Sequence, residues 1–157
     1  MAVPSPEPRS VPARGIVNTS DLHVERLSQT ERVRLAVEIL AAYVQARRAL
    51  SRAPIASVVA GLRSQSPPAS QSTPSSLEEA RRLGRAVTRL LAHVPGDTRC
   101  LARSLVLTRL LARRGIQAKL VIGARTKPEF LAHAWVEHGG EPVLYPGDGS
   151  YGRLVEL

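Results

Sequence analysis

The spacing of apolar residues changes once along this chain, near Gly115, and that change limits the folds available to it. Before Gly115, apolar side chains recur at intervals of three and four residues, which is the pattern of helices with a buried face. After it, Leu120 and Ile122 alternate with Lys119 and Val121, which is the pattern of a strand. Helices followed by strands predict an α+β fold, with a small antiparallel sheet packed against the last helix.

The part before Gly115 predicts helices over residues 27–50, 55–62 and 75–93, then a helix with Cys100 in its first turn and Arg113 and Arg114 in its last. Ser28 or Thr30 is expected to cap the first helix, and a Ser with Glu three residues on resembles a capping box for the third. We predict a disordered Pro-rich arm over residues 1–20 and a single domain over 21–157. That domain comprises a helical part (21–63), a flexible Ser- and Pro-rich loop (64–76) and the Cys100 helix with its sheet (77–157).

Four strands are predicted after Gly115, over residues 118–122, 130–137, 142–145 and 154–157. Gly139 and Gly140 indicate a tight hairpin turn. That turn pairs His138 with Glu141, and the same count places His133 opposite Pro146.

Composition and charge exclude several classes of protein. The single cysteine rules out an internal disulfide and fits a reducing compartment. The chain has neither an apolar run long enough to span a membrane nor a secretory signal, so we expect a cytoplasmic protein. The net charge of +9 comes mostly from Arg spread along every helix, without a DNA-binding or RNA-binding motif, so no specific nucleic acid is expected.

Cys100 and His133 are the residues whose positions permit catalysis. A thiolate is the nucleophilic form of cysteine, and the aligned N–H dipoles of the first helical turn stabilise it. If His133 comes within hydrogen-bond reach, a thiolate and imidazolium pair suits acyl transfer from a peptide bond or an amide. The backbone N–H of Cys100, unpaired at the helix start, would serve as oxyanion donor. The alternative is a buried thiol and a core histidine.

A catalytic histidine needs a group that orients its ring, and strand register selects among the acids. Glu141 lies five residues along from His133, roughly 16 Å at about 3.3 Å per residue, and is excluded. Asp148 falls two residues past the position opposite His133, on the same face if the strand continues, so it is the preferred acid. Asp97 is the second choice, although it also suits a helix cap.

The remaining candidate residues have simpler interpretations. Trp135 shares the face of His133 by strand alternation, where it would shield the imidazole from water or serve as core. His23, His93 and His138 show no metal-ligand spacing and are interpreted as surface or loop residues. No phosphate-binding or dinucleotide-binding motif is present, and no metal or other cofactor is expected.

Taken together, CLARSL from Cys100, LLARRG from Leu110, VIG from Val121 and AHAWVE from Ala132 resemble the transglutaminase-like cysteine peptidases of lasso-peptide biosynthesis. The resemblance covers about residues 76–157. It implies a papain-like or transglutaminase-like fold, with Cys100 as nucleophile, His133 as general base and acid, and Asp148 as orienting acid. Family members often place the acid somewhat nearer the histidine, where this chain has Leu144 and Tyr145.

The same resemblance implies the reaction and the partners. Such enzymes remove the leader from a ribosomally made precursor, and a separate cyclase then closes the ring. Some carry a leader-binding domain built like a small winged helix. Residues 1–94 lack its three-strand pattern, so we expect a separate leader-binding protein, with the cyclase as a further partner.

Two other functions fit the same residues. A related thiol acyltransferase or amidase would use Cys100 and His133 to make a bond or release an amine. A basic, non-enzymatic adaptor would bind an anionic surface through Arg81, Arg82, Arg85 and Arg89, three of which recur every four residues.

Overall fold

Four helices and four strands make up the computed structural model in the part of the chain that it describes, residues 28–64, 73–94, 100–145, 147 and 150–157. The helices are α1 (Gln29–Leu50), α2 (Ile55–Ser64), α3 (Pro74–Leu91) and α4 (Cys100–Arg113). The strands are β1 (Lys119–Arg125), β2 (Leu131–His138), β3 (Glu141–Pro142) and β4 (Gly152–Glu156). Helices precede an antiparallel sheet, which confirms the α+β prediction. The predicted arm over residues 1–20 lies outside the described residues.

Helices α1 and α3 each begin with a capping box, in which two residues exchange hydrogen bonds between side chain and backbone. Ser28 caps α1, as predicted: its hydroxyl accepts from the Glu31 N–H at 3.3 Å, while the Glu31 carboxylate accepts from the Ser28 N–H at 2.8 Å. The bond from the Ser28 backbone is the main cause that holds the pKa of Glu31 below its ordinary value. The cap predicted for α3 is wrong, because Thr73 and Ser76 form the capping box there and Pro74 occupies the first turn. The predicted loop over 64–76 is wrong at its two ends, because α2 includes Ser64 and α3 begins at Pro74. Residues 65–72 lie outside the described residues.

Helix α4 is the centre of the fold. It contacts each of the other three helices and strands β1 and β2, and its buried residues cover most of its circumference. It ends as the sequence predicts: Gly115 adopts φ 70°, and the Ile116 N–H donates to the Leu111 carbonyl at 2.9 Å, which closes the last turn.

The sheet has the strand order β3-β2-β1-β4, with neighbouring strands antiparallel. Gly139 and Gly140, at φ 61° and 86°, form the turn between β2 and β3, and the predicted pairing of His138 with Glu141 is confirmed. The predicted third strand is wrong beyond Pro142, because the chain there turns to pack into the core. The last strand begins at Gly152, two residues before its predicted start.

One face of the sheet packs against α4. Leu120, Ala134 and Val136 belong to the same cluster of buried residues as the helices. Side chains alternate along a strand, so Val121 and Trp135 lie on the opposite face, where they are also buried. His133 has the parity of Trp135 and belongs to that second face.

Gly84, inside α3, lets this helix approach the chain that follows β3. A Cβ atom at Gly84 would collide with the backbone carbonyl of Val143, and a backbone atom has little freedom to move aside. A glycine inside a helix either permits close packing or only weakens the helix. The structure shows close packing.

Gly84→Ala is therefore expected to destabilise the protein, although alanine favours a helix interior by about 1 kcal/mol over glycine. The matched control is Gly61→Ala in α2, where a Cβ meets no atom within 4 Å, so the same change is expected to stabilise by up to about 1 kcal/mol. Urea unfolding monitored by circular dichroism measures both. Equal stabilisation by the two changes would mean that the contact with Val143 is easily relieved.

None of the helices in the described ranges has the length and apolar character needed to cross a membrane.

Candidate active site

Cys100 is the first residue of α4, and its side chain is half-buried against the edge of the hydrophobic core. Because it opens the helix, its backbone N–H has no partner within the helix. A half-buried thiol can meet a substrate, whereas a core thiol cannot. Asp97, which the sequence allows as a cap of this helix, lies outside the described residues.

His133 lies near the beginning of β2, half-buried, with one ring nitrogen already engaged. Its Nε2 is 3.0 Å from the backbone carbonyl oxygen of Tyr145. A carbonyl oxygen only accepts hydrogen bonds, so Nε2 carries the hydrogen in this contact. In the neutral ring, Nδ1 then has a free lone pair, which is the form that a general base requires.

Cys100 and His133 are at the same end of the layer formed by α4 and β2. One turn after Cys100, the Ser104 hydroxyl donates to the Ala134 carbonyl at 3.0 Å, and Ala134 is adjacent to His133. At the other end, beyond the last turn of α4, the Gln117 carbonyl is 2.5 Å from Nδ1 of His138, the last residue of β2. The helix and the strand therefore run in the same direction, with the two candidate residues near their beginnings.

The two side chains are not hydrogen-bonded to each other within the described residues. Cys100 packs on the α4 side of β2, whereas alternation puts the His133 ring on the Trp135 side. A contact between sulfur and Nδ1 must therefore form around the edge of β2 that β1 does not cover. Catalytic hydrogen bonds commonly tighten only when substrate binds.

Aromatic rings surround the imidazole of His133. The Trp135 ring stacks on it with centroids 6.1 Å apart and planes 19° apart, which confirms that the two share a face. The rings of Tyr151 and Tyr145 lie at 5.2 Å and 6.4 Å. Gly123, paired with His133, makes room for Trp135, because a Cβ there would be 2.9 Å from the indole ring. These contacts restrict how far the imidazole can rotate.

A buried carboxylate holds Trp135 in turn. The indole N–H donates to Glu137 at 2.8 Å, and the guanidinium of Arg153 in β4 bonds the same Glu137 oxygen. Arg153 also donates to Glu156 at 2.6 Å. Glu137 above all, and then Glu156, raises the pKa of Arg153, which therefore stays charged. The series from Arg153 through Glu137 and Trp135 to His133 joins β4 to the candidate base.

Removing the Glu137 carboxylate is expected to weaken the contacts that hold Trp135 against His133. Glu137→Ala leaves the buried indole N–H without an acceptor, at a cost of about 1–3 kcal/mol in unfolding free energy, whereas Glu137→Gln keeps an acceptor oxygen and costs less. Trp135 is the chain's only tryptophan, so its fluorescence reports the site directly. Glu129→Ala, at an exposed position, is the control. Wild-type stability and emission in Glu137→Ala would show that Glu137 does not hold the indole.

The acids considered for orienting His133 fall in different places. Asp148, the preferred acid, lies outside the described residues, as does Asp97. Glu141 is exposed at the far end of β2, in agreement with its exclusion as the acid that orients His133.

The arginines of α3 that would bind an anionic surface in the adaptor hypothesis have acidic neighbours in at least two cases. Arg81 is 3.6 Å from Glu141, and Arg85 bonds Glu78 at 2.9 Å.

The prediction that His138 is a surface or loop residue is wrong. It is fully buried at the end of β2, with Nε2 2.8 Å from the Ser76 hydroxyl and Nδ1 facing the Gln117 carbonyl. It joins α3, β2 and the connection from α4 to β1. His93 is exposed, as predicted, and His23 lies outside the described residues.

Two groups at this site were missed by reasoning from sequence. Glu137 could have been found, since His133, Trp135 and Glu137 alternate along one strand and so share a face. No sequence feature could have predicted the role of the Tyr145 carbonyl, because every residue has a carbonyl and only the path of the chain places this one at His133. No group of three or more His, Cys, Asp or Glu within the described ranges is placed to hold a metal ion.

Comparison with known proteins points to one family. The model of the family described as "Transglutaminase-like superfamily" matches residues 39–155. The "Microcin J25-processing protein McjB" of Escherichia coli is 52% identical over 44 residues, which are 28% of this chain and 21% of that protein. The matched part is thus about a fifth of the relative's length. No solved structure matches. The two matches confirm the resemblance seen in the sequence.

Proposed function

The chain belongs to the transglutaminase-like superfamily, and we propose that it is a cysteine peptidase that removes the leader from a lasso-peptide precursor. The observation that carries the proposal is the position of Cys100 at the start of α4, at the same end of the layer as His133. There the Tyr145 carbonyl holds Nε2 of His133, and Nδ1 has no hydrogen bond to the described residues. The relative that processes microcin J25 supports the choice of substrate.

In the proposed reaction, His133 Nδ1 takes the proton of the Cys100 thiol, and the thiolate attacks the carbonyl carbon of the scissile peptide bond. The backbone N–H of Cys100, which has no partner within α4, stabilises the oxyanion that forms. When the C–N bond breaks, the imidazolium gives its proton to the leaving amine. Water, activated by the same ring, then hydrolyses the thioester and restores the thiol.

The proposed partners are the precursor's leader region and a separate leader-binding protein, with the cyclase acting on the product. All of the described strands belong to one small antiparallel sheet, which contains His133. We assign this sheet to the catalytic unit and propose that another protein recognises the leader. We also propose that Asp148 assists His133 and that the enzyme works in the cytoplasm.

The test is to incubate the precursor encoded beside this protein with the purified chain, with and without the leader-binding protein, and to measure masses. Hydrolysis releases a free leader and a core peptide whose masses sum to that of the precursor plus water. The expected result is cleavage that needs Cys100 and is faster with the partner. Unchanged precursor under both conditions would contradict the proposal.

A related acyltransferase is the second candidate, because a thioester on Cys100 accepts an amine as readily in principle as water. The same mass measurement separates the two reactions, since transfer leaves an adduct heavier than the hydrolysis product. If the protein is a non-enzymatic adaptor, neither product forms.

A further inference from the structure

Helix α1 carries apolar side chains on two of its sides, and the rest of the described chain covers only one of them. Ile39, Ala42, Tyr43 and Ala46 face the core. Four large apolar side chains on the other side are exposed: Val33 by 63%, Val37 by 61%, Leu40 by 40% and Val44 by 45%. We name these four residues the α1 seam. A row of large apolar side chains along three turns of a helix usually marks a binding surface.

The spacing of the α1 seam is that of a helix-pairing surface. Its residues are separated by four, three and four positions, which is the alternation of a and d positions in a heptad. Val37 and Val44 fall at a positions, and Val33 and Leu40 at d positions. This row stays on one face and fits between the side chains of a second helix that runs alongside.

The charges beside the α1 seam are positive. Arg34 and Arg48, both exposed, follow the a and d rows at e positions. The acidic residues of α1 are engaged within the chain. Glu31 caps its own helix at Ser28, and Glu38 bonds Arg114 at 2.8 Å. The seam therefore presents apolar side chains with a cationic border.

A second copy of this chain fits the seam poorly. In an antiparallel pair, e positions face e positions, so Arg34 of one copy would meet Arg48 of the other. In a parallel pair, the e positions would face g positions, of which Tyr43 is buried in its own core. A lipid surface also fits poorly, since the seam has no aromatic side chain to sit at a membrane interface.

We propose that the α1 seam binds an amphipathic helix of a partner protein, with apolar residues at heptad spacing and acidic residues opposite Arg34 and Arg48. A groove of about 680 Å³ adjoins the seam at Arg34 and Val37, and both arginines and glutamates line it. The preference for acidic side chains on the partner helix therefore rests on Arg34 and Arg48. The inference goes beyond the proposed peptidase reaction and does not depend on it.

The test uses two synthetic helices, each about four heptads long, with Leu at a and d. One has Glu at the e and g positions and the other has Lys, so like charges keep each probe from pairing with itself. Fluorescence anisotropy of the labelled probes is measured against the full chain at physiological salt. The Glu probe is expected to bind at least about 10-fold more tightly than the Lys probe, because of Arg34 and Arg48.

Two variants separate the apolar and the electrostatic contributions. Val37→Ser with Leu40→Ser removes exposed side chains and is expected to weaken binding of the Glu probe by about 10-fold or more. Gln45→Ser, exposed on the same helix but outside the seam, is the matched control and is expected to change nothing. Arg34→Glu with Arg48→Glu is expected to reverse the preference toward the Lys probe.

Several outcomes would overturn the proposal: equal binding of the two probes, no binding of either, or binding that survives the double serine change. Sedimentation equilibrium tests whether a second copy of the chain occupies the seam. A wild-type dimer that is lost in the double serine variant would mean that the chain pairs with itself. Co-sedimentation with phosphatidylglycerol vesicles tests the lipid surface. Vesicle binding through the seam without binding of the Glu probe would replace the protein partner by a membrane.

Discussion

Cys100→Ala is expected to lower the kcat of precursor cleavage by about 10,000-fold or more, because the alanine side chain has no lone pair with which to attack the peptide carbonyl. His133→Ala is expected to have an effect of similar size, since the thiol then has no base and the leaving amine no acid. Residues that act as a unit give strongly non-additive effects. The double variant is therefore expected to be no slower than either single one.

Single-turnover cleavage of the precursor, with the leader-binding protein present, measures these rates. His93→Ala removes an exposed histidine and is the matched control, expected to be as active as the wild type. The fluorescence of Trp135, beside His133, checks that the variants keep the site folded. Wild-type rates in either single variant would remove that residue from the mechanism. Multiplicative losses in the double variant would mean that Cys100 and His133 act separately.

Asp148→Ala is expected to lower kcat by about 10- to 100-fold, which is far less than loss of Cys100 or His133. Where the orienting acid alone selects the tautomer, replacing it costs about 10,000-fold. Here the Tyr145 carbonyl already accepts from Nε2, so the productive tautomer persists without Asp148. What is lost is the negative charge that stabilises the imidazolium.

Asp97→Ala distinguishes the two acids that the sequence allows. As a helix cap, Asp97 is expected to contribute about 0.5–2 kcal/mol to stability and little to kcat. The same cleavage assay, combined with urea unfolding, measures both effects. A large loss of kcat in Asp97→Ala with an unchanged rate in Asp148→Ala would exchange the two roles. A loss near 10,000-fold in Asp148→Ala would mean that the Tyr145 carbonyl does not hold the ring.

The elements of the fold were predictable because they depend on local chemistry. The cap at Ser28, the positive φ at Gly115 and the hairpin at Gly139 and Gly140 each involve residues within a few positions of one another. Apart from the cap of α3, which is a local error, the wrong predictions concern places where distant parts of the chain meet. The third strand stops at Pro142 because Val143 and Leu144 enter the core, where Val143 also meets Gly84 of α3.

The candidate site was predictable only in part, for the same reason. Cys100 and His133 were found from residue type, helix position and motif. His138 was misjudged, because its burial depends on Ser76 and Gln117, which are 62 and 21 positions away in sequence. The Tyr145 carbonyl reaches His133 because the chain turns after β3, and no side chain in the sequence predicts that turn.

By itself the sequence determined the order of the elements and the hairpin register, which follow from spacing and turn chemistry between near neighbours. It also predicted Cys100 and His133 as the catalytic residues, from residue type, helix position and motif. Only the tertiary structure decided which sides of the elements are covered, because burial depends on segments that pack from elsewhere in the chain. It put the His133 ring on the Trp135 side of β2. It also left Val33, Val37, Leu40 and Val44 exposed on a helix that has apolar residues on a second side as well, where the core covers them.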